Sequence, residues 1–447
     1  MTTPSKQPTQ TSDLTLDPRF DAPIDGRFDV RAFGASGTGL ASDTHAIQRA
    51  IDAASQVAGP FGGTVVVPPG RYLIGTIYLQ SNVTLHLQAG SRLIGTADLD
   101  AYVASDSAID PRSDSRWLRA MIIGVGVRNV AIIGPGVIDG AKVFDVRGEE
   151  KMRGPHAVRL IDCADITFTD VTFVDAANYA IYGEHVDRLA VRGCTFLGGW
   201  DGVHLRGTPG RPCLNMSIIR CDFRTGDDSI AGRYWHDTLI SHCQINSSCN
   251  GIRLIGPATK LLIHGCVFYG PGQYEHRTQS RTNMLAAILL QPGSWDATTG
   301  DLDDVLITDT TARDVQSAVT LYVRPGNRAG SVTIERLTAT GVYHAAMSFE
   351  SWAETPIERV TLRDVSVRYT IESGHPAGTV QLAEPRLGVR PLPAWGLLAY
   401  RVDKLELDRV RLTTEAVDSR PARLNEHVGV VEESDVRCVA PAASGAG

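Results

Sequence analysis

From about Val130 onward the apolar residues recur in one short pattern: apolar, variable, apolar, two variable, then Cys or an apolar residue, often followed by Phe or Ile. Ile166 to Val171, Leu189 to Cys194, Met216 to Cys221 and Val332 to Leu337 are examples. Alternation with a period of two predicts short strands. The second apolar residue of each copy is an anchor: Phe168, Val191, Ile218, Ile240, Ile263, Ile307, Ile334, Leu362 and Leu407. Their spacings are 23, 27, 22, 23, 44, 27, 28 and 45 residues. The two long spacings are near twice 22, which predicts one poorly matching coil hidden inside each. A strand repeat of 22 to 28 residues predicts a solenoid. The Leu-rich consensus and Asn position of leucine-rich repeats are missing and β-branched residues dominate, so the expected fold is all-β, a single parallel β-helix.

A second strand is expected about 12 residues after each anchor, centred on Ile181, Val203, Ile230, Ile252, Ile288, Val319, Met347 and Leu397. If these point inward, residues an odd step away, or at the turn two before, face outward on one side of the solenoid. That outward set contains Tyr182, Asp201, His204, Asp228, Asn250 and Arg253. A charged and aromatic row on one face of a solenoid is where binding sites usually lie. Ser42 to Gln56 predicts a short amphipathic helix, with Ser42 or Asp43 as its cap and Ile47, Ala50, Ile51 and Ala54 on its apolar face. Its expected role is to cover the open end of the first coil. Residues 1–26 and 441–447 read as tails around a domain spanning 27–440.

Composition changes this picture in few places. A chain of 447 residues suggests about three domains, but the repeat replaces them with one solenoid. The 44 Gly and the 6% aromatic content suit tight turns and a thin stacked interior. With 43 basic and 50 acidic residues the net charge is −7, which leaves no global basic footprint for nucleic acid, and no nucleic-acid partner is expected. No run of about 18 apolar residues is present, so no membrane partner or span is expected. The first residues, MTTPSKQPTQTSD, lack the apolar core of a secretory signal, and a cytoplasmic location is the expectation, or a secreted one if a signal has been removed. Cys194, Cys221, Cys243 and Cys266 share one register on successive coils and are expected to be reduced packing thiols. No metal-ligand spacing occurs among the eight Cys, so no metal is expected. No cofactor is expected either: Gly34 to Gly39 lacks the surrounding βαβ unit of a dinucleotide site.

The chemistry suggested by the sequence lies in three carboxylates. Asp201 and Asp228 sit two residues before Val203 and Ile230, in the same register of consecutive coils, and Asp227 adjoins Asp228. Neighbouring strands lie about 4.8 Å apart, so the carboxylates should crowd and at least one pKa should rise. A protonated acid beside an ionised base is what cleavage of a glycosidic bond by two carboxylates requires.

At this point the chain resembles a known family. Phe28 to Ala35 (FDVRAFGA), Ser42-Asp43-Thr44 with Ala46-Ile47, Val67 to Tyr72 (VPPGRY) and Gly75 to Tyr102 all resemble the polygalacturonase family, glycoside hydrolase family 28. The likeness runs from about Phe28 to Leu412. It implies a right-handed β-helix acting on pectin. The family's Asn-Thr-Asp motif matches Gly199-Trp200-Asp201, keeping the Asp, and its Gly-Asp-Asp motif is intact at Gly226-Asp227-Asp228. The resemblance implies an inverting hydrolysis with Asp227 as general acid and Asp201 and Asp228 as general bases. Two motifs depart: Gly-His-Gly falls on Cys249-Asn250-Gly251, and Arg-Ile-Lys falls on Leu289-Leu290-Gln291. The basic side chains that hold galacturonate in polygalacturonases are missing at these positions.

Candidate replacements are Arg253, beside Asn250, and Arg233, just after the Asp pair. An Arg fork suits a carboxylate or vicinal hydroxyls. His204, Asn250, Gln291 and Glu350 are further candidate contacts, and Trp200, Tyr322, Tyr182, Trp235 and Trp352 are candidate sugar platforms. The long polar loop Gly270 to Asn283 is expected near the groove, where blocking one end would give exo action. The expected function is therefore a glycoside hydrolase whose partner is an oligo- or polysaccharide. The alternatives are a lyase or a glycosyl- or fructosyl-transferase on the same scaffold, or a glycan-binding β-helix without catalysis.

Overall fold

The computed structural model describes residues 26–57, 59, 62–107, 109, 116–370, 380–415 and 417–441. The tails expected at 1–26 and 441–447 lie outside these residues, apart from Gly26 and Pro441. The chain winds into a right-handed parallel β-helix. Each central coil carries three strands, as in Asp187–Arg192, Thr195–Leu197 and Val203–Arg206, so three parallel sheets run along the axis.

The first sheet is the row of anchors. Phe168, Val191, Ile218, Ile240 and Ile263 pair in order, followed by Ile307, Ile334, Leu362 and Leu407. The row also extends toward the N-terminus through Ile132, Leu85, Val65 and Phe28. All these anchors are buried, so burial of the inward side chains sets the register.

Two expectations about the repeat need correction. Ile263 pairs directly with Ile307, and Leu362 with Leu407. No coil is hidden in either long spacing. Each is a single coil with long insertions, and those of the first coil leave after Val267–Tyr269 and after Ala286–Leu290. Such loops cost little because the closure entropy of a loop grows only slowly with its length. The short middle strand, not foreseen, explains the recurrent Phe. Phe173, Phe196 and Phe223 stack face to face, with ring centroids 5.0 and 4.5 Å apart.

Cys194, Cys221, Cys243 and Cys266 are buried and free, and their thiols contact one another along the ladder. Hydrogen bonding to Cys194 pushes the Cys221 thiol up to about 12, and the neighbouring thiol raises Cys243 likewise to about 12. The four are packing groups of the interior. The helix forms at Thr44–Ser55 and buries Ala46, Ile47, Ala50, Ile51 and Ala54 against the first coil. Asp43 precedes it but does not cap it through its side chain. Its carboxylate accepts instead from the Ser36 and Gly37 amides at 2.6 and 3.2 Å. No helix of the described residues is long and apolar enough to cross a membrane.

Candidate active site

The third sheet contains Ile181–Glu184, Val203–Arg206, Ile230–Arg233, Asn250–Leu254 and Ala286–Leu290. Ile181, Val203, Ile230, Ile252 and Ile288 pair in one row and face the core. The turn just before each strand stacks on the turn of the next coil. The Gly202 amide donates to Asp228 O at 3.1 Å and the Ser229 amide to Asn250 O at 3.0 Å. Asp201, Asp228 and Asn250 therefore form one row, as their common register predicts. Glycine is required here by close approach: a Cβ on Gly226 would lie 2.5 Å from Gly199 O, and one on Gly202 2.6 Å from Ser229 O.

One oxygen each of Asp201, Asp227 and Asp228 lies within 4.8 Å of the others. That is tighter than the roughly 6.5–9.5 Å between carboxyl groups usual in inverting glycosidases, so this spacing does not carry the inversion implied by the resemblance. The three differ in their surroundings. Asp228 Oδ1 accepts from the Asn250 amide at 3.1 Å and side chain at 2.7 Å, and its Oδ2 meets Arg253 at 3.2 Å. Asp227 meets Arg153 at 3.3 Å and His276 at 3.7 Å. Its carbonyl is fixed by the Thr225 and Ser247 hydroxyls at 2.8 and 2.7 Å. Asp201 Oδ2 lies 2.6 Å from His204 Nδ1. Arg206 Nε donates to His204 Nε2 at 2.9 Å, so the imidazole proton sits on Nδ1 and is donated to Asp201.

These surroundings push the carboxyls apart electrically. Burial, then the Asp227 and Asp228 carboxylates, holds Asp201 well above the usual range. Burial also raises Asp227, but Arg153, His276 and Arg253 outweigh it and leave Asp227 below its ordinary value. Burial and the surrounding arginines keep His204 neutral. Of Asp201 and Asp227, Asp201 is the carboxyl whose surroundings favour the protonated form.

The carboxylates open into a cavity of about 790 Å³ walled by insertions as well as by the sheet. His276, Gln279 and Arg281 come from the loop after Tyr269, Glu150 and Arg153 from an earlier one, and Trp295 with Asp296 from the segment after Leu290. Six arginines line it: Arg116, Arg147, Arg153, Arg206, Arg253 and Arg281. Asp201, Asp227, Asp228, His204, Asn250 and Arg253, all anticipated, line it too.

Five other anticipated contacts lie outside it. Trp200 is 0% exposed, and the Arg153 guanidinium stacks 3.8 Å from its ring centroid, so it backs the site and offers no sugar platform. Arg233 pairs with Asp296. Gln291 lies between Tyr322 and Arg253; with its oxygen toward Arg253, 2.6 Å from Nε, both neighbours are satisfied. Tyr322 is fully buried at that contact. Glu350 is buried and held by Arg390 at 2.6 and 3.0 Å and by Trp352 Nε1 at 3.0 Å. Of the other aromatics suggested, Tyr182 is buried and stacks on His156, and the Trp235 indole donates to Leu205 O at 2.9 Å.

The residues missed fall into two groups. Tyr179 and Arg206 share the outward register, two before Ile181 and three after Val203, and the alternation rule would have found them. Arg153, His276, Arg281, Trp117 and Trp295 come from loops with no register. For a metal, the donor sets within reach among the described residues are the three carboxylates and the trio Asp227, Cys249 and His276. In the first, Arg153 and Arg253 already supply positive charge to Asp227 and Asp228.

A family model described as rhamnogalacturonase A/epimerase, pectate lyase-like, matches residues 27–270. A probable polygalacturonase of Vitis vinifera is 27% identical over 213 residues, covering 44% of this chain and 42% of that protein. An exo-poly-alpha-D-galacturonosidase of Dickeya chrysanthemi is 34% identical over 255 residues, covering 45% and 41%. The chain thus spans less than half the length of these curated relatives. The structure of a hyperthermoactive exopolygalacturonase from Thermotoga maritima shares the fold, with a TM-score of 0.60, 17% identity and coverage of 87% and 92%. The chain belongs to the rhamnogalacturonase A/epimerase, pectate lyase-like family, as a polygalacturonase-like member of glycoside hydrolase family 28.

Proposed function

We propose that this chain hydrolyses a glycosidic bond in an acidic, pectin-class oligo- or polysaccharide. The observation that carries this reading is the convergence of Asp201, Asp227 and Asp228 on one cavity lined by arginines. Hydrolysis needs one carboxyl group to protonate the leaving oxygen and another to activate water. Asp227 is the acid in this reading: its side chain is 12% exposed against 3% for Asp201 and Asp228, so it is the best placed to reach a leaving group. Asp201 and Asp228 then hold the water. In this reading Asp227 receives the proton it delivers from Asp201, the carboxyl whose surroundings favour the protonated form.

The cavity arginines support an anionic substrate. Arg253 takes over from the absent family His and Arg-Ile-Lys cations, because it faces the site beside Asn250 and is oriented by Asp228 and Gln291. Asn250 Oδ1 is buried without a hydrogen-bond partner among the described residues and is free to accept from a sugar hydroxyl. The insertions that wall the cavity favour attack at a chain end, hence exo action.

A second reading makes Asp201 the acid, favoured by the direction in which its carboxyl is displaced. Aryl uronides with a good leaving group separate the two. The acid variant keeps activity on them, and the base variant does not. The proposal as a whole is tested on pectic substrates, with products identified by mass and anomeric configuration. Reducing-end products without an unsaturated ring are expected. Products absorbing in the ultraviolet would indicate a lyase and overturn the proposal.

A further inference from the structure

Cys249, one residue before the position of the absent family His, takes no part in the mechanism above. Its thiol lies on the cavity wall, and one donor atom each of Asp227, Cys249 and His276 falls within 4.8 Å of the other two. We propose that these three side chains form a binding site for a borderline-soft divalent metal ion of the Zn²⁺ class, and that filling it silences the candidate acid. The second half rests on the hydrolase reading; the first does not.

A nitrogen, sulfur and oxygen donor set is the one Zn²⁺ prefers, at about 2.0–2.3 Å per ligand, which puts tetrahedral ligands about 3.5 Å apart. Asp227 Oδ1 and His276 Nε2 are already 3.7 Å apart. The Cys249 sulfur lies within 4.8 Å of a donor atom of each. Each ligand is also prepared by its neighbours. His276 Nδ1 lies 3.4 Å from the Thr278 hydroxyl, a partner for the ring N–H that leaves Nε2 as the ligand. Arg153 holds Asp227 through Oδ2, leaving a lone pair of Oδ1 toward His276. Two N–H groups point at the Cys249 sulfur, from Asn250 Nδ2 and Arg281 Nη2, both at 3.3 Å. Burial and the Asp228 and Asp227 carboxylates nevertheless hold the thiol well above its ordinary value, so it is the ion that must displace the proton. On binding, a sulfur–metal bond replaces the S–H bond and the proton leaves to solvent. Coordinated to the ion, Asp227 has no proton to give.

The test uses Cd²⁺, whose bond to a thiolate absorbs in the ultraviolet. Cys438 is the exposed thiol and is removed first, so the background is Cys438→Ala. The folded full chain should take up one Cd²⁺ with a thiolate band. Cys249→Ala should abolish the band, and His276→Gln should weaken binding about tenfold or more, with melting curves reporting that each variant is folded. Zn²⁺ should suppress turnover of any substrate the chain cleaves, and this sensitivity should vanish in Cys249→Ala relative to its own metal-free rate. An unchanged band in Cys249→Ala, or no uptake by the folded chain, overturns the site. Uptake through Cys249 without loss of turnover overturns the silencing. Because the band needs no substrate, failure of the hydrolase reading would not be mistaken for failure of the site.

Discussion

At the residue scale the site is a set of like charges held together against their repulsion. Stacking on adjacent coils forces Asp201 beside Asp228, and the turn puts Asp227 next to it. The folded protein binds a proton on Asp201 that the unfolded chain has already released once the pH exceeds about 4, the ordinary carboxylate range. A folded-state pKa above the unfolded one means that stability falls as pH rises through the window between them. Asp201→Asn removes that cost. It should raise the melting temperature at pH 7, with the gain shrinking toward zero as pH falls to about 4. Thermal melts of both proteins across pH check this. Trp295, 57% exposed on the cavity wall, is the aromatic best placed to meet a sugar ring. Trp295→Ala should raise KM about tenfold with kcat little changed, the effect of losing one stacking contact. Steady-state kinetics decide it.

At the scale of the element, the strands of the first and third sheets were legible from Phe168 onward, and the short middle strands and the loops were not. The inward anchors from Phe168 to Leu407 and from Ile181 to Ile288 follow from period-two alternation, because burying one face leaves no freedom in register. Asp201 and Asp228 were legible for the same reason, since they lie at fixed offsets from Val203 and Ile230. Tyr179 and Arg206 obey the same rule. Arg153, His276 and Arg281 were beyond it: they sit on insertions whose path is set by contacts with remote residues, such as that of Arg281 with the Ser248 carbonyl. The 44-residue spacing looked like two coils for the same reason, as an insertion and a degenerate coil have equal length in sequence. The tight turn of the Gly-Asp-Asp motif leads to a test. Gly226→Ala places a Cβ 2.5 Å from Gly199 O and 3.0 Å from Glu275 O, and both are backbone atoms that cannot swing away. It should cost about 1–3 kcal/mol, as overpacking does, measured as a lowered denaturant midpoint.

Across the whole molecule, one continuous solenoid interior carries the stability, and the candidate site sits on one face of it. The net charge of −7 conceals a cavity lined by six arginines as well as the three clustered carboxylates, so bulk composition says little about what the cavity takes. The thiols report the integrity of the solenoid. Of eight cysteines only Cys438 is exposed, and the rest are buried. A bulky thiol reagent should label Cys438 rapidly, Cys249 at the cavity wall slowly, and the interior thiols only after unfolding. Rapid labelling of Cys194, Cys221, Cys243 and Cys266 in the native protein would mean that the packed ladder does not form.

The central claim is that the carboxylates of the Gly-Asp-Asp turn and its neighbouring coil break a glycosidic bond. The most direct measurement is release of reducing ends from an acidic pectic substrate by the unaltered chain and by folded Asp227→Asn. The account predicts release by the former and a loss of about 10²–10⁴-fold in the latter, the usual worth of a general acid. Release by Asp227→Asn at the unaltered rate would contradict it.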